Sequence, residues 1–173
     1  FVGGTGGYTD LSIWKELGPD ICRQVLTRNL FGMTGFSPGA KMDSMQAILK
    51  ELEAAKLGVS IGQGAIQAAQ AARIVQQALE KAGSTDPKAI HAAFAKVEIP
   101  FGSPDLYLAR PKGLAFGEDR MLTDGSAMMI QWQPDQTQQV VYPEAFAQEA
   151  PRPRHAHCAA LRDEFERAQV AVD

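Results

Sequence analysis

The chain has 173 residues, a hydrophobic content of 45% and a formal net charge of -3, which is enough for one ordinary domain with a hydrophobic core. No cluster of lysine and arginine indicates a nucleic-acid-binding face, and no stretch reaches the roughly 20 apolar residues that a membrane-spanning helix needs. Two cysteines, Cys22 and Cys158, are too few for a disulfide framework, although a single bridge between them stays open.

The chain opens on a strand end that runs into a glycine loop, Gly3 to Gly7, so we expect the sequence to begin in mid-domain. Thr9 or Asp10 then caps a short helix over residues 11–17, because both side chains can accept a hydrogen bond from the first helical turn. The pair Gly18-Pro19 predicts the end of that helix.

A strand, a connector and a second helix follow. Residues 24–31 have a β-forming composition, and residues 32–41 are rich in Gly, Ser and Pro, which is typical of turns. Asp43 is predicted to cap a helix that ends at Gly58. Its buried face is given by apolar residues that recur at intervals of three and four: Met45, Ile48, Leu49 and Leu52.

The longest predicted helix covers residues 64–82 and stops at Gly83. We predict that it packs through an alanine-rich stripe: Ala68, Ala71, Ala72, Val75, Leu79 and Ala82. Asp86 as N-cap and Pro87 at the first helical position begin a further helix, which ends before Pro100.

After Pro100 the sequence changes to β-forming segments. We predict strands at residues 113–116, 127–133 and 138–142, the last two as a hairpin. A terminal amphipathic helix is predicted from spaced apolar residues: Leu161, Phe165, Ala168 and Val172. The fold class is therefore α/β, with an element order that is not a simple βαβαβ series.

Three segments in this order resemble one family. They read FVGGTGGYTD at 1–10, ALEKAGSTDPKAI at 78–90, and MIQWQ followed by VVYPE at 129–133 and 140–144. The connector FSPGAK at 36–41 is also similar. Together they resemble the second half of type I periplasmic solute-binding proteins, the branched-chain amino acid (Leu/Ile/Val-binding-like) components of ABC transporters.

The resemblance implies part of a two-lobe, Venus-flytrap fold in which ligand is held between the lobes. Residues 1–31 would complete the sheet of the second lobe, and residues 32–111 would cross over and supply helices of the first lobe. Residues 112–147 would return as strands of the second lobe, and residues 148–173 would form a tail. A chain holding only this half would leave an apolar stripe exposed on the alanine-rich helix.

The same resemblance implies a non-catalytic protein without a cofactor or a metal, located in the periplasm or at the cell surface as a lipoprotein. Its partners would be a small organic solute and the membrane subunits of the importer. Two alternatives stay open: a sensor domain of the same fold in a regulator or receptor, and an enzyme that uses the glycine loop for a phosphorylated substrate.

The glycine loop is the best candidate binding site. Glycine lets backbone N–H groups approach a ligand closely, and threonine and tyrosine add hydroxyls. The candidate ligand-binding residues are Gly4, Thr5, Gly6, Gly7, Tyr8, Thr9 and Gln63. Near Gln63 and Gln67 the family often has aromatic residues that line the cleft, and the two glutamines could make polar contacts with a ligand instead. The alternative interpretation is that this segment is simply the start of a helix. Amino-acid binders of the family carry an acidic residue in the loop, where this chain has Gly4 and Thr5, so we expect a carboxylate or neutral ligand.

Other patterns favour no chemistry. His155, His157 and Cys158 are metal-capable, but zinc usually needs four ligands and their surroundings indicate a solvated tail. Glu118, Asp119 and Asp124 are typical of charged turns between strands. Trp132 lies at an alternating position of a predicted strand, which favours a place in the core.

Overall fold

The computed structural model describes residues 2–3, 7–10, 12–58, 61–125 and 127–148. The chain is a mixed α/β protein, as predicted. Its elements in chain order are β1 (Val2–Gly3), α1 (Ser12–Leu17), α2 (Pro19–Val25), β2 (Leu30–Met33), α3 (Asp43–Ala54), α4 (Gln63–Ala82), α5 (Pro87–Phe94), β3 (Glu98–Ile99), β4 (Leu114–Ala115), β5 (Met128–Trp132) and β6 (Gln138–Tyr142). Gly4, Thr5, Gly6 and the predicted terminal helix lie outside the described residues.

A four-stranded sheet with the order β1-β2-β5-β6 joins the two ends of the described chain. β1 pairs with β2 in parallel, whereas β5 pairs antiparallel with both β2 and β6. In the β5–β6 hairpin, Trp132 lies directly opposite Gln138. The predicted hairpin is confirmed, and its partner in the sheet is the strand that follows α2. The lobe boundaries inferred from the resemblance stay predictions.

The region between the first helix and β2 differs from the prediction. The predicted end of the first helix is confirmed, since α1 ends at Leu17 and Gly18 has a φ of 79°, but Pro19 begins a new helix, α2, that was not predicted. Proline is well placed at the first position of a helix, where its missing N–H has no partner to lose. A 3₁₀ turn at Leu26–Arg28 follows, and only Leu30–Met33 is extended. The predicted strand over 24–31 was therefore wrong over residues 24–29, six of its eight residues.

Helix α4 packs through a different face from the predicted stripe. Its buried residues are Ile66, Gln70, Ile74 and Ala78, whereas Val75 and Leu79 of the predicted stripe are 42% and 41% exposed. The stripe thus does not pack against other described residues, and the face that does pack carries two isoleucines, which remove more apolar area from water than alanines do. Exposure of the stripe is the other outcome, expected if the chain holds only half of the two-lobe fold.

A buried amide fixes this inner face of α4. Gln70 is 1% exposed; its Oε1 accepts the Tyr107 N–H at 2.6 Å and its Nε2 donates to the Asp105 carbonyl at 3.1 Å. Arg73, one turn further on, forms an ion pair with Asp105 at 2.8 Å. The irregular segment after β3 is thus tied to α4 by polar contacts that no periodicity in the sequence predicts.

The predicted helix boundaries around residue 83 are confirmed. Gly83 ends α4 in the left-handed conformation with a φ of 55°, where glycine carries no penalty from a Cβ atom. The Asp86 carboxylate accepts the Ala89 N–H at 3.0 Å and caps α5. By contrast, Asp43 is the first residue of α3, and the N-cap position belongs to Met42.

Candidate functional site

The candidate site lies at one edge of the sheet, where the two parallel strands end. β1 and β2 run in the same direction, so the glycine loop that follows β1 and Thr34 that follows β2 leave the sheet at the same edge. In open sheets, ligands bind in the crevice outside the carboxyl ends of parallel strands. The topology therefore places the predicted loop where a ligand crevice is expected.

The described part of the loop, residues 7–10, rests on the sheet through Tyr8 and Thr9. The Tyr8 ring stacks on Phe31 of β2 with the ring centres 5.9 Å apart and an angle of 22° between the planes. Phe31 is buried, whereas Tyr8 is 48% exposed. Tyr8 thus presents an aromatic surface at this end of the sheet, and Thr9 beside it is buried.

The amide of Gln63 binds the end of β2 at two points. Its Oε1 accepts the Thr34 N–H at 3.0 Å, and its Nε2 donates to the Thr34 hydroxyl at 3.2 Å. Gln67, one turn along α4, donates to the Thr34 carbonyl at 3.4 Å. These contacts place the N-terminus of α4 at the same edge of the sheet as the glycine loop.

The loop and α4 meet where Asp10 approaches Gly62. A Cβ atom added to Gly62 would lie 3.1 Å from Asp10 Oδ2, and Asp10 Oδ1 accepts the Ser12 N–H at 2.8 Å. Gly62 is the N-cap residue of α4 and gives no side-chain cap, and the first turn of α4 has no acidic residue. The N-terminus of a helix carries a partial positive charge, so a carboxylate and the positive end of α4 lie side by side.

The structure brings together some of the predicted site residues. Tyr8 and Gln63 both reach the carboxyl edge of the sheet, through Phe31 and Thr34 respectively. Gly7 is exposed, and a Cβ atom added there would meet nothing within 4 Å. Gly4, Thr5 and Gly6 lie outside the described residues.

Two residues at this edge were not among the predicted site residues. Asp10 was treated only as a helix cap, and Thr34 was part of the connector. The signal for Thr34 was its position directly after a strand, at the edge where ligands bind in open sheets. The proximity of Asp10 to Gly62 had no local signal.

The other patterns form no second centre. Among the described residues, no group of three His, Cys, Asp or Glu side chains could hold a metal ion; His155, His157 and Cys158 lie outside them. Glu118 and Asp119 are exposed in a turn, as predicted. Cys22 is a buried free thiol, and Trp132 is 1% exposed in the core, as predicted.

A separate groove of about 780 Å³ lies beside the β5–β6 turn. It is lined by Pro38, Gly39, Gln148 and residues 133–139. Among the described residues, its lining includes neither Tyr8 nor Gln63, and Asp135 is the one charged side chain in it. We therefore keep the edge of the parallel strands as the candidate site.

The sequence matches no protein-family model, and no curated protein is significantly similar to it. Among the described helices, none combines the length and apolar character needed to cross a membrane.

Proposed function

We propose that this chain is part of the solute-binding component of an ABC importer and forms one wall of a cleft that captures a small organic solute. The observation that carries the proposal is the meeting of Tyr8, Asp10 and the N-terminus of α4 at the carboxyl edge of the parallel strands. This edge is where a ligand-binding loop is expected in an α/β sheet. It is also where the resemblance to type I solute-binding proteins puts the glycine loop.

The exposed face of α4 supports the two-lobe part of the proposal. Val75 and Leu79 are large, apolar and more than two-fifths exposed, and exposed alanines at 68, 71 and 72 continue the same face. Contiguous apolar surface of this kind marks a packing or interaction face. In the proposed fold, this face packs against the sheet of the first lobe.

The position of Asp10 changes the expected chemistry of the ligand. The neutral residues Gly4 and Thr5 favoured a carboxylate or neutral solute, but Asp10 adds a carboxylate at the crevice beside Gly62. An opposite charge within a few ångströms stabilises a cation, and the positive end of a helix stabilises an anion. We therefore favour an amino acid, with its ammonium group at Asp10 and its carboxylate at the first turn of α4.

Calorimetric titration with matched ligands tests the proposal. Leucine, isovalerate and isovaleramide share an isobutyl group but differ in their charged groups. Each ligand is titrated into two protein samples: this chain by itself, and this chain together with any residues that precede it in the complete protein. We expect leucine to bind best and Asp10→Asn to weaken leucine by roughly tenfold or more, as expected for loss of a charged hydrogen bond. Lys15→Gln, an exposed change on α1, is the matched control.

The other outcomes are also informative. If isovalerate binds and Asp10→Asn does not weaken that binding, the ligand is a simple carboxylate. This result would contradict the role proposed for Asp10. If no heat is released with these three ligands or with a panel of amino acids and organic acids, the proposed solute-binding function is wrong.

A further inference from the structure

Two side chains of the β5–β6 hairpin donate hydrogen bonds to the described part of the glycine loop. Trp132 Nε1 donates to the Tyr8 carbonyl at 2.8 Å, and Gln138 Nε2 donates to the Thr9 carbonyl at 2.6 Å. Trp132 and Gln138 are 1% and 5% exposed. They are opposite residues in the hairpin register, so adjacent donors reach two consecutive carbonyls of the loop.

The other end of the Gln138 amide holds the connector that follows β2. Gln138 Oε1 accepts the Ser37 hydroxyl at 2.9 Å, and Ser37 Oγ in turn accepts the Gly39 N–H at 3.2 Å. Ser37 is fully buried. One amide thus uses its donor on the loop and its acceptor on the chain that leads from Thr34 towards α3.

We propose that Gln138 is a positioning residue that holds the ligand-binding loop and the connector in a fixed relation, so that movement of one is transmitted to the other. One consequence, that ligand affinity depends on Gln138, rests on the proposed function; the positioning role itself does not. A side-chain amide suits the task because it carries a donor group, the NH2, and an acceptor group, the carbonyl oxygen, on one rigid plane. Both are buried, so removing the amide leaves the Thr9 carbonyl and the Ser37 hydroxyl without that partner.

A fluorescence measurement tests the positioning role without any ligand. Trp132 reports on the loop because its indole N–H is bonded there, and Trp14→Phe removes the other tryptophan emission. In this background we expect Gln138→Met to increase acrylamide quenching of Trp132 several-fold and to shift its emission to the red. The matched control is Gln133→Met, because Gln133 is a buried glutamine of the same hairpin whose amide bonds to Gln139 and to the Gln131 carbonyl.

Ser37→Ala tests the transmission separately, since Ser37 belongs to the connector and, among the described residues, is linked to the loop through Gln138. We expect Ser37→Ala to raise quenching of Trp132 by a smaller factor than Gln138→Met. If acrylamide quenching of Trp132 in both Gln138→Met and Ser37→Ala equals that in Gln133→Met, the inference is overturned. It is also overturned if quenching rises in Gln138→Met but not in Ser37→Ala.

Leucine titration of the same variants separates this inference from the proposed function. If leucine binds the parent chain, we expect Gln138→Met to weaken it about tenfold, the effect of one buried hydrogen bond left without its partner, and Gln133→Met to leave it unchanged. Unchanged leucine affinity in Gln138→Met would contradict the positioning role. If no solute binds the parent but the fluorescence changes occur, the proposed function fails while the coupling stands.

Discussion

Replacing Gly39 with alanine tests the packing of the connector on the hairpin most directly. A Cβ atom at Gly39 would lie 1.8 Å from the Gln138 carbonyl oxygen and 2.9 Å from its carbonyl carbon. Both contacts are with backbone in a paired strand, so no side-chain rotation can relieve them. The connector or β6 would have to move by more than an ångström.

The expected loss of stability is at the upper end of the range for overpacked sites. Inserting a methyl group into a well-packed region typically destabilises a protein by about 1–3 kcal/mol, and a backbone clash leaves less room for adjustment than a side-chain contact. We expect Gly39→Ala to lower the free energy of unfolding by about 3 kcal/mol or more. The shift also separates Ser37 from Gln138, which adds to the loss.

Urea denaturation followed by far-ultraviolet circular dichroism measures this loss. The control is Gly64→Ala on α4, where an added Cβ meets nothing within 4 Å and alanine is the better helix former by up to ~1 kcal/mol. We expect the midpoint to fall for Gly39→Ala and to stay or rise for Gly64→Ala. Equal midpoints for Gly39→Ala and the parent would refute the close contact between the connector and β6.

Three further changes have defined outcomes. Asp86→Ala removes the cap of α5 and should lower the free energy of unfolding by about 1 kcal/mol in urea denaturation; no change would mean that the cap is not formed in solution. Gln70→Leu leaves the partly buried Tyr107 N–H without this partner and should destabilise by about 1–3 kcal/mol in the same assay, so stabilisation would contradict the contact. Burial raises the pKa of the Cys22 thiol, which leaves less thiolate at a given pH; in a Cys158→Ser background, alkylation should be slow at pH 8 and speed up in urea, and equal rates would show that the thiol is accessible.

The elements that the sequence predicts well are those with signals a few residues apart. The end of α4 at Gly83 and the Asp86 cap of α5 depend on neighbouring backbone groups, and the β5–β6 hairpin depends on a short turn between two β-forming runs. In such places the chemistry that defines the element is contained within the segment itself. Their type and position could therefore be read from the residues.

The errors arose where distant parts of the chain decide the outcome. The inner face of α4 includes Gln70, whose partners Tyr107 and Asp105 lie in a segment without regular structure that the periodicity of the helix does not reveal. Residues 24–25 have a β-forming composition but continue the helix that Pro19 begins. Local propensity was overridden in both cases by what the segment packs against or follows.

The candidate site was predicted in part. Tyr8 and Gln63 came from the motif resemblance, and the structure brings both to the same sheet edge. Asp10 and Thr34 join them only because β1 and β2 are parallel neighbours and because α4 begins beside the loop. These relations are set by the topology of the sheet, which single-residue patterns do not encode.

The strand order also determines when the loop can acquire its shape during synthesis. β2 pairs with β5, and Leu30 meets Gln131 roughly a hundred residues later in the chain. Contacts between such distant residues form late because the intervening chain must first be ordered. The helical segment α4–α5 has its capping signals within itself, so it can form while the ribosome is still translating the hairpin. The supports that Trp132 and Gln138 give the loop are therefore made after α4 and α5 have been synthesised, and a nascent chain that ends before residue 132 would lack both of them.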